Sequence, residues 1–278
     1  MLTTTLVYSA PAHKTEKGCK LVNGTRLYYE IKGEGQPLVF IHGFMVDSRM
    51  WDDQFHYFSK WYRCIRYDIR GYGQSALPGN EPYTFQQDLK SLLYALEISE
   101  PVILVGHSLG GRIASNFALK YPRFTRALVL VDSQIEGYVF RQFPLETIFR
   151  SAITKGIEYA KRKWLALEFF VPAQRNKKVM QRLAEMLHGY TGWHLVDHNP
   201  VLHFVPPTWQ QLSNITVPSL IVYGSLDPAD YKAMSEGAAA NIPGAVKVVL
   251  PDTGHMSNME SPGMFNTKLL DFLEGLPN

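Results

Sequence analysis

Apolar positions along this chain follow two alternating rhythms. Four short runs are almost unbroken: Leu38-Val39-Phe40-Ile41, Val102-Ile103-Leu104-Val105, Ala127-Leu128-Val129-Leu130-Val131 and Leu220-Ile221-Val222-Tyr223. Runs of this length and character are those of strands covered on both faces. Weaker strand patterns occupy residues 26–31, 64–68 and 246–250. Between them the spacing turns helical. Thr84-Phe85-Gln86-Gln87 reads as a capping box, and Phe85, Leu89, Leu92, Leu93 and Leu96 share one face of the helix it opens. Ser261-Pro262 reads as an N-cap with proline at the first helical position, before Phe265, Leu269, Phe272 and Leu273 on one face. This alternation predicts the α/β class, a mostly parallel sheet flanked by helices.

The alternation lapses between residues 137 and 207, where the pattern is helical and carries Phe140, Phe143, Phe149, Trp164, Phe169, Phe170, Tyr190, Trp193 and Phe204. A connection of about 70 residues exceeds any ordinary crossover, so it predicts a helical insertion with its own packing. The expected division is therefore a loose N-terminal tail (1–17), a core (18–136 and 208–278) and the insertion (137–207).

Composition narrows the function. The chain has 278 residues, 46% of them hydrophobic, enough for one large core or two smaller ones. Its formal net charge of +3, without a long basic block, argues against a nucleic-acid partner. No stretch approaches the ~18 apolar residues of a membrane span. Ala10-Pro11-Ala12 has small residues like a cleavage site, but no basic segment or long apolar run precedes it. Cys19 and Cys64 form neither a disulfide framework nor a zinc pattern, which points to a reducing, cytoplasmic compartment.

The decisive motif is Gly106-His107-Ser108-Leu109-Gly110-Gly111, between the strand ending at Val105 and a helical pattern through Ile113, Phe117 and Leu119. A serine in Gly-x-Ser-x-Gly on a strand-to-helix turn is the nucleophile elbow, its hydroxyl lifted to the sheet edge. Serine needs a base. His255, in Asp252-Thr253-Gly254-His255-Met256 beyond the last strand, fills that role, and rates should then fall on acidification near a pKa of roughly 6–7. The acid is Asp227, just past a buried strand, or alternatively Asp132 in Val131-Asp132-Ser133, with Asp230 and Asp252 more remote choices. The backbone N–H groups of Leu109 and Phe44, the latter in His42-Gly43-Phe44, would form an oxyanion hole, with His42 in a structural role.

These motifs, together with Asp68-Ile69-Arg70-Gly71-Tyr72-Gly73-Gln74-Ser75 and Gly224-Ser225-Leu226-Asp227, stand in the order of the α/β-hydrolase superfamily, which the chain resembles outside the tail and the insertion. The resemblance implies the α/β-hydrolase fold, a helical cap over the site at 137–207, and a structural role for Asp68 to Ser75. Epoxide hydrolases and haloalkane dehalogenases carry an aspartate where Ser108 stands. Met50-Trp51-Asp52-Asp53-Gln54 and the stretch from Gly254 to Pro262 are similar to those of 3-oxoadipate enol-lactonases and small carboxylesterases.

The resulting expectation is a cofactor-free serine hydrolase of carboxylic esters acting through an acyl-enzyme, with a small-molecule ester or lactone as substrate. Rival expectations are a lactonase, a C–C bond hydrolase or perhydrolase on the same triad, and a non-turnover ligand receptor on the same fold. His188, His194, His198 and His203 cluster in the insertion, but a zinc site needs a further ligand set and supporting hydrogen bonds that the pattern does not show, so no metal is expected.

Overall fold

The four unbroken apolar runs become four adjacent strands at the centre of one sheet. The structure, a computed structural model, describes residues 14–141 and 145–277. Its elements in chain order are β1 (Glu16–Val22), β2 (Thr25–Lys32), β3 (Pro37–Ile41), α1 (Asp52–Phe58), β4 (Arg63–Tyr67), α2 (Phe85–Ala95), β5 (Val102–His107), α3 (Leu109–Lys120), β6 (Thr125–Val131), α4 (Glu146–Lys155), α5 (Ile157–Leu165), α6 (Lys177–Gly189), α7 (Trp193–Val196), β7 (Ser219–Gly224), α8 (Ala229–Asn241), β8 (Val246–Leu250), α9 (Ser257–Glu260) and α10 (Pro262–Glu274). Among the described residues eight strands pair in the order β1-β2-β4-β3-β5-β6-β7-β8. The contacts of β1 with β2 and of β2 with β4 are antiparallel, and all others are parallel.

Burial follows the sequence pattern. Every residue of β3, β5 and β7 is buried, and β6 departs from this only at Arg126. Each large apolar side chain so buried contributes roughly 1.5–3 kcal/mol relative to exposure. The weaker patterns lie further out, as β2, β4 and β8. Sheet order reverses at β3, which has β4 on one side and β5 on the other. In open α/β sheets the crevice beyond the carboxyl ends of strands at such a reversal is where ligands bind.

Two expectations need correction. Glu16 and Lys17, assigned to the loose tail, already belong to β1, a strand that the apolar pattern missed. Its residues are mostly exposed, with Leu21 at 82%, because it is an antiparallel edge strand with little to bury. Its signal is Asn23-Gly24, whose φ values of 47° and 70° are those of a tight hairpin turn. The rest of the tail, including Ala10-Pro11-Ala12, lies outside the described residues, as does Phe143. At the helix starts, Thr84 Oγ1 accepts the Gln87 N–H at 3.3 Å, whereas the Ser261 side chain makes no cap bond to α10.

Between β6 and β7 the described chain forms helices and short turns, with α4 packed on α5 and α7, and α6 against the turn at Ser48–Trp51. Among the described residues no helix is long and apolar enough to cross a membrane.

Candidate active site

Parallel strands in register bring their carboxyl ends to one level. Ile41 of β3 pairs with Gly106 of β5, His107 with Val131 of β6, Val131 with Val222 of β7, and Gly224 with Leu250 of β8. The residues just past those ends are Phe44, Ser108, Asp132, Asp227 and His255, so local strand geometry alone gathers them from distant parts of the chain.

Ser108 sits between β5 and α3 at φ 50°, ψ −114°, a conformation that costs a non-glycine residue on the order of 1–3 kcal/mol. Its N–H donates to the Val131 carbonyl at 3.0 Å, and its own carbonyl accepts from Gly111, Arg112 and Gln134 N–H groups. The neighbouring glycines are steric necessities. A Cβ on Gly106 would collide with the Gly110 carbonyl, and one on Gly110 with the Ile41 carbonyl. The N–H groups of Phe44 and Leu109 donate to no other group among the described residues. His42 is consumed by structure: its Nδ1–H donates to the Gly43 carbonyl and its Nε2 accepts the Ile69 N–H, both at 2.8 Å. Asp68 braces the same loops, taking N–H groups of Ser48 at 2.9 Å and Gln74 at 2.8 Å.

His255 Nδ1–H donates to Asp227 Oδ1 at 2.8 Å. The imidazole is packed by the rings of Tyr231 at 4.4 Å, Phe169 at 4.8 Å and His107 at 5.0 Å. That burial pushes His255 down to about 3, and burial likewise pushes the Asp227 carboxyl up, followed by the negative charge of Glu260. The backbone around His255 is pinned on both sides. His107 Nε2–H donates to the His255 carbonyl at 2.7 Å, while Glu260 accepts the N–H groups of Gly254 at 2.7 Å and Met256 at 3.2 Å. Asp132 makes no hydrogen bond to the imidazole; it accepts the Gly224 N–H at 2.8 Å and the Ser257 N–H at 3.3 Å. Of the two carboxylates left open by the sequence, Asp227 is the one on His255. Asp230 accepts from the Tyr138 hydroxyl at 2.9 Å, and Asp252 is exposed.

A sequence profile of the alpha/beta hydrolase family matches residues 38–267. The chain belongs to the alpha/beta hydrolase family. The AB hydrolase superfamily protein YisY of Bacillus subtilis is 37% identical over 265 residues, which cover 88% of this chain and 94% of YisY. The (E)-2-((N-methylformamido)methylene)succinate hydrolase of Acinetobacter baylyi is 27% identical over 273 residues, 94% of this chain and 99% of that one. The crystal structure of the enol-lactonase from Burkholderia xenovorans LB400 superposes with a TM-score of 0.77 at 27% identity, covering 92% of this chain and all 100% of its own.

In this hydrolase Ser108 opens onto two cavities. A small one of about 30 Å³ is shared by Ser108 and His255 and walled by Phe44, Leu145, Trp164, Phe169, Phe170 and Tyr231. A larger one of about 270 Å³ also reaches Ser108, adds Arg112, Gln134, His194 and Asn199, and is not lined by His255. Tyr231, missed by the sequence reading, lines both cavities together with Ser108. No spacing marks it, since it is simply one position in the first turn of α8. His107 and Glu260 were also missed as supports, although both lie in motifs already singled out. Of the aromatics between 137 and 207, Trp164 reaches the small cavity, while Trp193 packs edge-on against His194 at 5.0 Å. The histidine cluster disperses. His194 faces the larger cavity and stacks on Tyr72 at 4.2 Å, His203 pairs with Glu136 at 2.7 Å, and burial pushes His194 down to about 4. Among the described residues no group of three His, Cys, Asp or Glu side chains could hold a metal ion.

Proposed function

We propose that this hydrolase cleaves carboxylic esters of small molecules through an acyl-enzyme, with Ser108 as nucleophile, His255 as base and Asp227 as acid. One observation carries the reading: Ser108, strained on its elbow, shares a cavity with an imidazole already hydrogen-bonded to a buried carboxylate at 2.8 Å. Ser108 Oγ attacks the carbonyl carbon as its proton passes to His255 Nε2, and the new oxyanion takes the N–H groups of Phe44 and Leu109. His255 then gives that proton to the leaving oxygen, the acyl–oxygen bond breaks, and a water activated by the same imidazole releases the acid. Asp227 keeps Nδ1 protonated throughout and stabilises the transient imidazolium.

The two cavities divide the substrate. Only a group beside His255 can receive its proton, so the leaving alcohol occupies the small cavity and the acyl part the larger, more polar one. Residues 137–207 act as a cap whose aromatics wall the leaving-group side. A lactonase is the second reading, supported by the likeness to the enol-lactonase structure, because a ring oxygen is also a compact leaving group.

The test is a panel of esters varied separately in acyl and alcohol length, beside aliphatic lactones, enol lactones and a vinylogous diketone for C–C cleavage. Ester turnover with short alcohols best is the expected result. Preference for a lactone or the diketone would replace the ester reading, and a burst that stalls at one equivalent would make the protein a receptor.

A further inference from the structure

We propose that His107 is a positioning residue that sets the base against the nucleophile: a neutral imidazole, protonated on Nε2, that holds the His255 main chain from the end of the nucleophile's own strand. Its effect on turnover rests on the serine-hydrolase reading above, whereas its hydrogen bond and its tautomer do not.

Topology creates the need. The strands run β5-β6-β7-β8, so the loop carrying His255 leaves β8 three strands away from β5, where Ser108 stands. At about 4.8 Å per strand that is a gap of roughly 14 Å, which the loop must recross. Bonds from three strand ends hold it on the way. Asp227, past β7, takes the His255 Nδ1–H at 2.8 Å, and Asp132, past β6, takes the Ser257 N–H at 3.3 Å. His107, the last residue of β5, donates its Nε2–H to the His255 carbonyl at 2.7 Å. Asp227 acts on the imidazole and Asp132 on a residue two positions further, so His107 is the one of the three that grips the main chain of His255. Glu260 takes the Gly254 and Met256 N–H groups, but it belongs to α9 directly after the loop and shapes the loop without tying it to β5.

The bond also fixes the chemistry of the ring. A carbonyl has no proton to give, so Nε2 must carry the hydrogen. Nδ1 is buried, has no hydrogen-bond partner among the described residues, and lies against Gly43, where a Cβ would come within 2.6 Å of it. A second proton would set the N–H of a cation where nothing accepts it, so the ring is neutral. The titratable groups facing it are His255 and His42, and burial, followed by charge on His255, pushes His107 well below the ordinary histidine range. Neutrality serves the reaction. The two imidazole centroids are 5.0 Å apart, and a charged His107 would oppose the imidazolium that forms on His255 in turnover. With Trp51 edge-on at 6.5 Å, the ring is wedged between the base loop and the loop that carries Phe44.

NMR of the ring nitrogens reads the bond with no substrate present. At about pH 5, below the usual histidine pKa, wild type and Ser108→Ala should both show a neutral imidazole with its hydrogen on Nε2, a signal that His107→Gln removes. A His107 ring that is charged there, or protonated on Nδ1, overturns the proposal whatever the substrate proves to be. Fluorophosphonate labelling and turnover of p-nitrophenyl acetate supply the second arm. His107→Leu has no donor, and the amide of His107→Asn ends where Nδ1 stood. Each should lose about 10- to 100-fold in labelling rate and in kcat at nearly constant KM, the scale of loss when a reacting group is displaced by about 1 Å. His107→Gln, whose amide nitrogen reaches the Nε2 position, should recover all but about threefold. Labelling of His107→Leu at the wild-type rate, or a His107→Gln enzyme as slow as His107→Leu, would leave His107 as packing alone and overturns the proposal.

Discussion

The sheet edge and the helical segment from α4 to α7 hold their side chains in different ways. At the edge, backbone bonds do the holding. Ser108 is fixed by its φ and by bonds on both its N–H and carbonyl, and His255 by His107 and Glu260 gripping the backbone on either side. The helical segment meets the core mainly through rings. Tyr72 stacks on His194 at 4.2 Å and on Tyr190 at 5.4 Å, Phe44 meets Phe149 at 6.2 Å, and Phe169 covers His255. Few polar ties accompany them, notably Arg182 to Asp53 at 2.6 Å and Tyr83 to Asn199 at 2.8 Å. Ring packing tolerates exchange of similar volumes, whereas a strand-end turn tolerates almost none. On the proposed reading, chemistry is thus placed where the backbone is rigid, and selectivity where side chains can vary.

Breaking the rigid region should have the largest effects. Ser108→Ala should fold normally and lose roughly 10⁵–10⁶ in kcat, because the triad acts as a unit. A fluorophosphonate should label wild type at Ser108 alone, and labelling that survives the substitution would refute the assignment. Asp227→Asn should cost roughly 10⁴ in kcat by leaving His255 in the wrong tautomer. A smaller loss there than in Asp132→Asn would exchange the two acids.

Acidity probes the same region more gently. The base must be neutral, so kcat/KM falls as pH drops through the His255 pKa. Free histidine would put that limb near 6.5, but burial pushes this imidazole down to about 3, with the Asp227 carboxylate at 2.8 Å opposing the shift. The limb should therefore lie below 6.5, lower than the unperturbed range inferred from sequence. EDTA should leave the rate unchanged at every pH, since each step of the proposed mechanism uses groups of the chain alone. A limb at or above 6.5 in a kcat/KM profile would mean that the site opens to water before the base acts.

The same contrast explains what was legible in the sequence. The inner strands announced themselves because burial on both faces forces unbroken apolar runs, and they fixed the chain positions of Ser108, Asp227 and His255. The sequence favoured Asp227 over Asp132 without deciding between them, because both end buried strands and only register places Asp227 against the imidazole. β1 was hidden because an exposed edge strand needs no apolar pattern, though Asn23-Gly24 marked its turn. Tyr231 and the inward-facing aromatics were hidden for another reason. Which face of a helix meets a cavity depends on how elements dock, which local periodicity does not record.

The smallest expected effects belong to the ring-packed region, and they separate its two cavities. Trp164 lines the small cavity beside His255, Phe149 the larger one, and Trp193 neither. If the leaving alcohol occupies the small cavity, Trp164→Ala should raise kcat/KM for longer alcohols relative to methyl esters while leaving acyl preference unchanged. Phe149→Ala should do the reverse, re-ranking acyl lengths at a constant alcohol. Trp193→Phe should move neither ratio, since it supports His194 from outside. A hydrophobic contact of this kind is worth about 1–3 kcal/mol in discrimination, so each change should re-rank substrates by about 10- to 200-fold without abolishing turnover. The measurement is a grid of kcat/KM values over two acyl and two alcohol lengths for each variant. Should Trp164→Ala shift acyl preference instead, the two cavities have exchanged roles. Should all three variants keep the wild-type ratios, the segment is a structural appendage and selectivity resides in the rigid sheet edge.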